Sequence, residues 1–271
     1  MERSEKAALS QARIEVRHCR TLAEYEECLR LEQITWGTGI LVPTAIFVVA
    51  QETGGQILGA FAGEEMVGFT LALVGERAGR PFLHSHMTAV LDAFRDRGVG
   101  RSLKLFQRQD GMDRGFPLVE WTFDPLELRN AHFNFMRLGA IVRRLIPNCY
   151  GITDSPLHAG LPTDRFVAEW WLDSPRVNRL LAAGADPRAA AANMSSANAV
   201  RISLPSDIVE LRIRDRAAAG RVQTEVREQF EECFGKGYVV TGITAQGATA
   251  EYHLQPVAEI ASDIFPASGR E

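Results

Sequence analysis

Two apolar runs, Ile57 to Ala62 and Met66 to Val74, are separated only by Gly63-Glu64-Glu65. Three residues join strands as an antiparallel hairpin, because a parallel return needs a crossover of about a dozen residues or more. That hairpin constrains the fold more than any other stretch. Around it the periodicity switches between 2 and 3.6. Ile14 to Cys19 alternates apolar and polar and predicts a strand, and Leu22 to about Gly37 sets Tyr25, Cys28, Leu29, Leu31 and Ile34 at helical spacing. Pro43 opens a short helix to Gln51, where its missing N–H costs little. Gly79-Arg80-Pro81 turns into a further strand, Phe82 to Leu91. A glycine-bearing loop, Arg95 to Gly100, opens a helix running to about Arg114. Leu118 to Phe123 predicts a strand, Leu128 to Leu138 a helix stopped by Gly139, and Ile141 to Leu145 another strand. Helices between strands, with an early hairpin, imply a mixed α/β (α+β) layered fold and not a purely parallel one.

After Tyr150 the texture changes. Thr153 to Asp164 is rich in Pro, Gly, Ser and Asp and predicts a loop. Arg165 to Leu172 predicts a strand, and Ala182 to Ala199 reads as an alanine-rich linker with helical tendency. Val200 to Leu204 follows as a strand. Asp207 to Phe234 is helical, with a break expected near Gly220, and a hairpin turns at Gln246-Gly247. The expected organisation is a flexible tail over 1–13, a first domain over 14–153, and a smaller α/β extension over 165–271 with its linker at about 182–199.

Composition excludes several classes. The chain has 271 residues and a formal net charge of −4, without the broad basic field that nucleic-acid binding uses. No apolar run approaches the roughly 20 residues of a membrane helix, and Met1 to Arg13 lacks the apolar segment of a secretory signal. Cys19, Cys28, Cys149 and Cys233 are scattered and form no C-x-x-C pair. Reduced thiols in a cytoplasmic protein are therefore expected, with no metal site.

The chemistry is concentrated in Arg95-Asp96-Arg97-Gly98-Val99-Gly100-Arg101, between a strand and a helix. Glycines there let the backbone turn tightly and aim several N–H groups inward at the positive end of the new helix. That arrangement suits a pyrophosphate, with Arg97 and Arg101 adding charge. The Rossmann and Walker glycine patterns are absent.

From Ala89-Val90 to Gly100 the sequence resembles the GCN5-related N-acetyltransferases (GNAT), whose signature is [QR]-x-x-G-x-[GA] after the fourth strand. The resemblance covers roughly Ile14 to Gly151. It implies a mostly antiparallel twisted sheet flanked by helices, acetyl-CoA as cosubstrate, and transfer of the acyl group to an amine in a ternary complex. It also implies that the backbone at Ala89 and Val90 pairs with the pantetheine arm, that Arg95 through Arg101 hold the diphosphate, and that Asn130 hydrogen-bonds the cofactor. Leu83 to Met87, Trp121 to Leu126, Asn130 to Phe135 and Gly237 to Gly242 are similar to a bacterial branch with a C-terminal extension.

An alkylamine must lose a proton before it attacks a thioester, so a base is needed. His84 and His86, two apart on one strand, are expected on one face and have the right pKa range. A matching pair precedes the valine in the arylalkylamine acetyltransferases of the same superfamily. Glu120 and Asp124, on the next strand, are alternative bases. Many members place a tyrosine, as acid for the departing thiolate, where this chain has Phe135, four residues before Gly139. Tyr150 is the candidate substitute. Water is the other candidate donor, and failing both the chain is a weak enzyme or a non-catalytic acyl-CoA-binding module whose C-terminal part meets a partner. Trp121, Trp170 and Trp171 read as core residues before they read as a pocket lining. The expected acceptor is a small-molecule or peptide amine, and a homodimer is an expected assembly.

Overall fold

A computed structural model describes residues 13–37, 41–153, 160–184, 194 and 196–266. The expected tail, apart from Arg13, and most of the expected linker lie outside the described residues. The chain divides into two compact units, Met1–Val119 and Glu120–Glu271.

In the first unit, β1 (Ile14–His18), β2 (Gln56–Ala62), β3 (Glu65–Arg77) and β4 (Arg80–Val90) lie side by side in that order. Each pairs antiparallel with the next, and Ala62 stands opposite Glu65 at the hairpin. Alternate residues of β2 serve two cores. Ile57 and Phe61 join Tyr25, Cys28 and Leu31 of α1 (Leu22–Trp36) and Phe47 and Ala50 of α2 (Thr44–Glu52). Leu58, Ala60 and Ala62 join Val99 and Leu103 of α3 (Val99–Asp113). Both faces of the sheet are thus covered, which is why β2 is buried throughout. At the start of α1, Thr21 and Glu24 form a capping box. Desolvation would raise the Glu24 carboxyl, but the Arg20 amide, the Arg17 guanidinium and Thr21 outweigh it and hold the pKa at about 2.

The second unit orders its strands β5 (Leu118–Phe123, starting at the boundary), β7 (Arg165–Trp171), β6 (Ile141–Ile146), β9 (Tyr238–Gln246), β10 (Thr249–Pro256) and β8 (Val200–Pro205). The pairs β6–β7, β6–β9, β9–β10 and β10–β8 are antiparallel. Its core is aromatic. Phe166 meets Phe230 edge-on at 4.7 Å between centroids, and Tyr252 meets Phe135, Phe166 and Phe230. Trp121 and Trp170 are buried, and Trp170 donates to the Leu138 carbonyl at 2.7 Å.

Four departures from expectation fall here. A helix α5 (Pro175–Ala182) stands where no element was predicted; Ser174 caps it and Pro175 occupies its first turn. The long helical stretch breaks at Asp215 into α6 (Ile208–Arg214) and α7 (Arg216–Gly235), not at Gly220. The Asp215 side chain accepts from the Ala218 amide and starts the second helix, whereas Gly220 lies inside α7, where a Cβ would sit 3.4 Å from Leu161. A last helix, α8 (Val257–Ile264), follows β10. The helix α4 (Leu128–His132) also changes character, continuing as a π-helical turn, Phe133–Leu138, before Gly139.

Candidate functional site

The glycine loop lies wholly in the first unit. After Val90, Asp92–Phe94 form a 3-10 turn, and Leu91 donates to the Val67 carbonyl at 2.9 Å, anchoring the loop to β3. Arg95 braces the loop internally: it pairs with Asp92 at 2.9 Å and donates to the Val90 carbonyl at 3.3 Å. Asp96 has φ +57° and Gly98 has φ +81° with ψ 0°. Left-handed residues alternating with ordinary ones turn successive amides toward one concavity.

The first bond of α3 runs from the Ser102 amide to the Gly98 carbonyl at 2.8 Å. The amides of Val99, Gly100 and Arg101 precede it and have no acceptor in the helix ladder. A Cβ built on Gly98 would meet no atom within 4 Å, and one on Gly100 only Val90 Cγ2 at 3.9 Å. The left-handed backbone accounts for glycine at 98. Neither packing nor a positive φ accounts for it at 100, where an added Cβ would have room. Arg97 is exposed over the Phe94 ring at 4.8 Å, and Arg101 is half-buried. The Val99 and Ala89 side chains are in the core, so these two offer only backbone. This donor set suits a diphosphate: amides at a helix N-terminus, two arginines, and no bulk above the glycines.

His84 and His86 lie on β4 with ring centroids 6.3 Å apart. The strand is irregular there. Met87 pairs with Leu71 and Ser85 with Ala72, so His86 is an extra residue, a bulge. His86 is exposed, His84 half-buried. Desolvation by its neighbours lowers the His86 pKa, which favours the neutral, proton-accepting ring.

Beneath the strand is a group that no sequence pattern announced. Lys104 of α3 is buried, with Nζ 2.8 Å from Ser85 Oγ and 2.9 Å from Gln107 Oε1. Desolvation lowers its pKa from 10.5 to about 7. The fold therefore favours the neutral amine. The unfolded chain keeps its proton up to about pH 10.5, so stability rises from pH 7 toward 10.5 and is lost as pH falls through 7. Lys104→Met removes this dependence. Relative to wild type, the variant is expected to be most stable below pH 7 and to lose that advantage at up to about 1.4 kcal/mol per pH unit above it. Urea denaturation at several pH values measures this, and parallel curves for the two proteins would refute it.

In the second unit, Glu120 is buried on β5. Asp124 is not a free base. It pairs with Arg212 at 2.7 Å and Arg165 at 3.8 Å, and accepts from the Leu126 amide at 2.8 Å. Phe135 is buried between Phe123 and Tyr252 as core. Tyr150 lies in the turn after β6, 54% exposed, with its hydroxyl 2.9 Å from Thr122 Oγ1. Asn130 is exposed on α4, whose N-cap position belongs to Glu127. Asn134, on the π turn, is buried, and its Nδ2 has no hydrogen-bond partner among the described residues. Among the described residues no group of His, Cys, Asp and Glu could hold a metal ion, and no helix is long and apolar enough to cross a membrane.

Solved structures similar to this chain include Ard1 from Thermoplasma volcanium, 15% identical over 58% of this chain and 95% of that one, with a TM-score of 0.46. The ribosomal-protein-S18-alanine N-acetyltransferase from Escherichia coli is 15% identical over 58% and 92%, with a TM-score of 0.48. NAA60 of Arabidopsis thaliana, in complex with acetyl-CoA, is 12% identical over 59% and 99%, with a TM-score of 0.48. No protein-family model and no curated protein matches the chain.

Proposed function

We propose that this chain is an acyl-CoA-dependent N-acyltransferase of the GCN5-related class, moving an acetyl group from acetyl-CoA to an amine. One observation carries the reading: the loop from Arg95 to Arg101, with α3 amides beyond the helix ladder and two glycines that leave open space above them. The diphosphate of coenzyme A suits that concavity, with Arg97 and Arg101 as countercharges and the Ala89 and Val90 backbone toward the pantetheine. When bound, the cosubstrate supplies the activated thioester. The acyltransferase domain is read as 14–153, with 165–271 as its extension, and a small-molecule or peptide amine is the acceptor.

His84 and His86 are read as the groups that accept the amine proton. Desolvation lowers the His86 pKa, which favours the neutral ring that can accept a proton. Glu120 is the alternative base. Asp124 is set aside, because its arginine pairs occupy it. Tyr150, exposed where Phe135 is buried and aprotic, is the reading for the thiolate's proton donor.

The core position of Phe135 also favours a second reading, an acyl-CoA-binding module without turnover. Thiol release from acetyl-CoA across an amine panel separates the two. Turnover with at least one amine, falling about 100-fold or more in a His84→Ala/His86→Ala double variant, supports the transferase. Binding with no thiol release supports the module.

A further inference from the structure

A bulge removes ladder hydrogen bonds where it sits, so the strand around it is held less firmly by its neighbour. In β4 the bulge falls at His86, and the residue before it, Ser85, is buried. Ser85 is held from the other side by Lys104 Nζ at 2.8 Å. A lysine is a costly occupant of that space, since burying its charge or forcing it neutral opposes folding where an apolar side chain would simply fill it. Gln107 belongs to the same cluster. It presents Oε1 to Lys104 and leaves its own Nε2 without a partner among the described residues. Rotating that amide would serve a neutral amine as its present pose serves an ammonium, so the tether survives either protonation state. Of the other titratable groups nearby, His18 of β1, Asp110 of α3 and Arg114 just beyond it form their own bonded set at 2.9 and 3.1 Å. Gln56 of β2 joins them through Asp110.

We propose that Lys104 is a positioning residue: by holding Ser85 it fixes the bulge that aims His86, and it ties the strand of the two histidines to the helix whose first turn forms the diphosphate cradle. Its effect on turnover rests on the acyltransferase reading; its effect on the geometry of His86 does not.

The test uses the full chain with Lys104→Met, Ser85→Ala, the double variant and Lys104→Arg. The first readout is the imidazole titration of His86 by NMR, which needs no substrate. Release of the bulge relieves the remaining desolvation of the ring, so its pKa moves up toward the ordinary value of roughly 6.5 in Lys104→Met and in Ser85→Ala, and no further in the double variant. The second readout, taken where the wild type turns over, is a kcat lower by about tenfold or more with the KM for acetyl-CoA within about threefold. Lys104→Arg, which keeps a donor, restores part of both. An unchanged His86 titration in folded Lys104→Met overturns the proposal. So do losses of kcat that add in the double variant, or equal losses in kcat and in active fraction. A wild type without coenzyme A affinity overturns the acyltransferase reading and leaves the titration to judge the tether. Should Lys104→Met fail to fold, Ser85→Ala alone decides by the same titration.

Discussion

Replacing Gly100 with glutamate is expected to abolish coenzyme A binding while leaving the protein as stable as before, or slightly more so. Gly100 is the second residue of α3, and a Cβ there meets only Val90 Cγ2 at 3.9 Å. The added side chain has room. It also replaces glycine in a helix, which gains about 0.5–1 kcal/mol in intrinsic propensity, and an acid in the first turn suits the helix dipole. Nothing inside the molecule is disturbed. Outside it, a carboxylate stands over the amides of Val99, Gly100 and Arg101, where the diphosphate is proposed to lie. Bulk and like charge together are expected to cost about 3 kcal/mol or more, a loss of about 100-fold or more in affinity. Calorimetric titration gives the affinity and a melting curve gives the stability. Undiminished affinity in a folded Gly100→Glu protein would place the ligand elsewhere.

The largest expected loss of stability is at Arg212. Its guanidinium, 4% exposed, spans Asp124 at 2.7 Å and Glu127 at 3.0 Å, joining α6 to the segment between β5 and α4. Arg212→Met keeps much of the packing volume but leaves Asp124 the Leu126 amide and, for charge, the more distant Arg165 at 3.8 Å. Removing one partner of a buried pair strands the other charge, which typically costs about 3–5 kcal/mol. Desolvation already raises the Glu127 pKa, with Arg212 as the main opposing influence, so the variant's carboxyl rises further. A raised carboxyl favours the protonated fold. The deficit is therefore largest at neutral pH and shrinks as pH falls through the carboxylate range. In urea the midpoint should fall with an unchanged slope, corresponding to a Tm lower by about 10 °C. A loss under about 1 kcal/mol at pH 7 would mean the cluster is solvated and not structural.

The first unit was legible because its signals are local and redundant. The hairpin at Gly63-Glu64-Glu65 and Pro43 at the head of α2 each mark an element boundary by backbone chemistry alone. The glycine loop was legible for the same reason, since left-handed backbone at Gly98 has a direct sequence signature. The second unit was less so. Eight residues of α5 offered little period, and α8 follows its strand through Pro256 with no side-chain cap. Gly220 looked like a break, but it lies inside α7, facing Leu161, and the break went to Asp215.

In the candidate site the hidden parts are those that depend on pairing. Strict alternation predicts where His84 and His86 point, but the bulge at His86 arises from its register with Leu71 and Ala72, which one strand cannot reveal. Lys104 looks like any helix charge until Ser85 and Gln107 are found around it. Asp124 looked like a base until distant Arg165 and Arg212 were found to occupy it.

Coenzyme A and pantetheine share the thiol arm and differ by the nucleotide and its diphosphate. Titrating the intact chain with each in a calorimeter isolates the contribution of the loop. The account predicts saturable heat with coenzyme A and none with pantetheine at the same concentrations. Equal binding of both, or no heat with coenzyme A, would contradict a diphosphate held by the amides between Arg95 and Arg101.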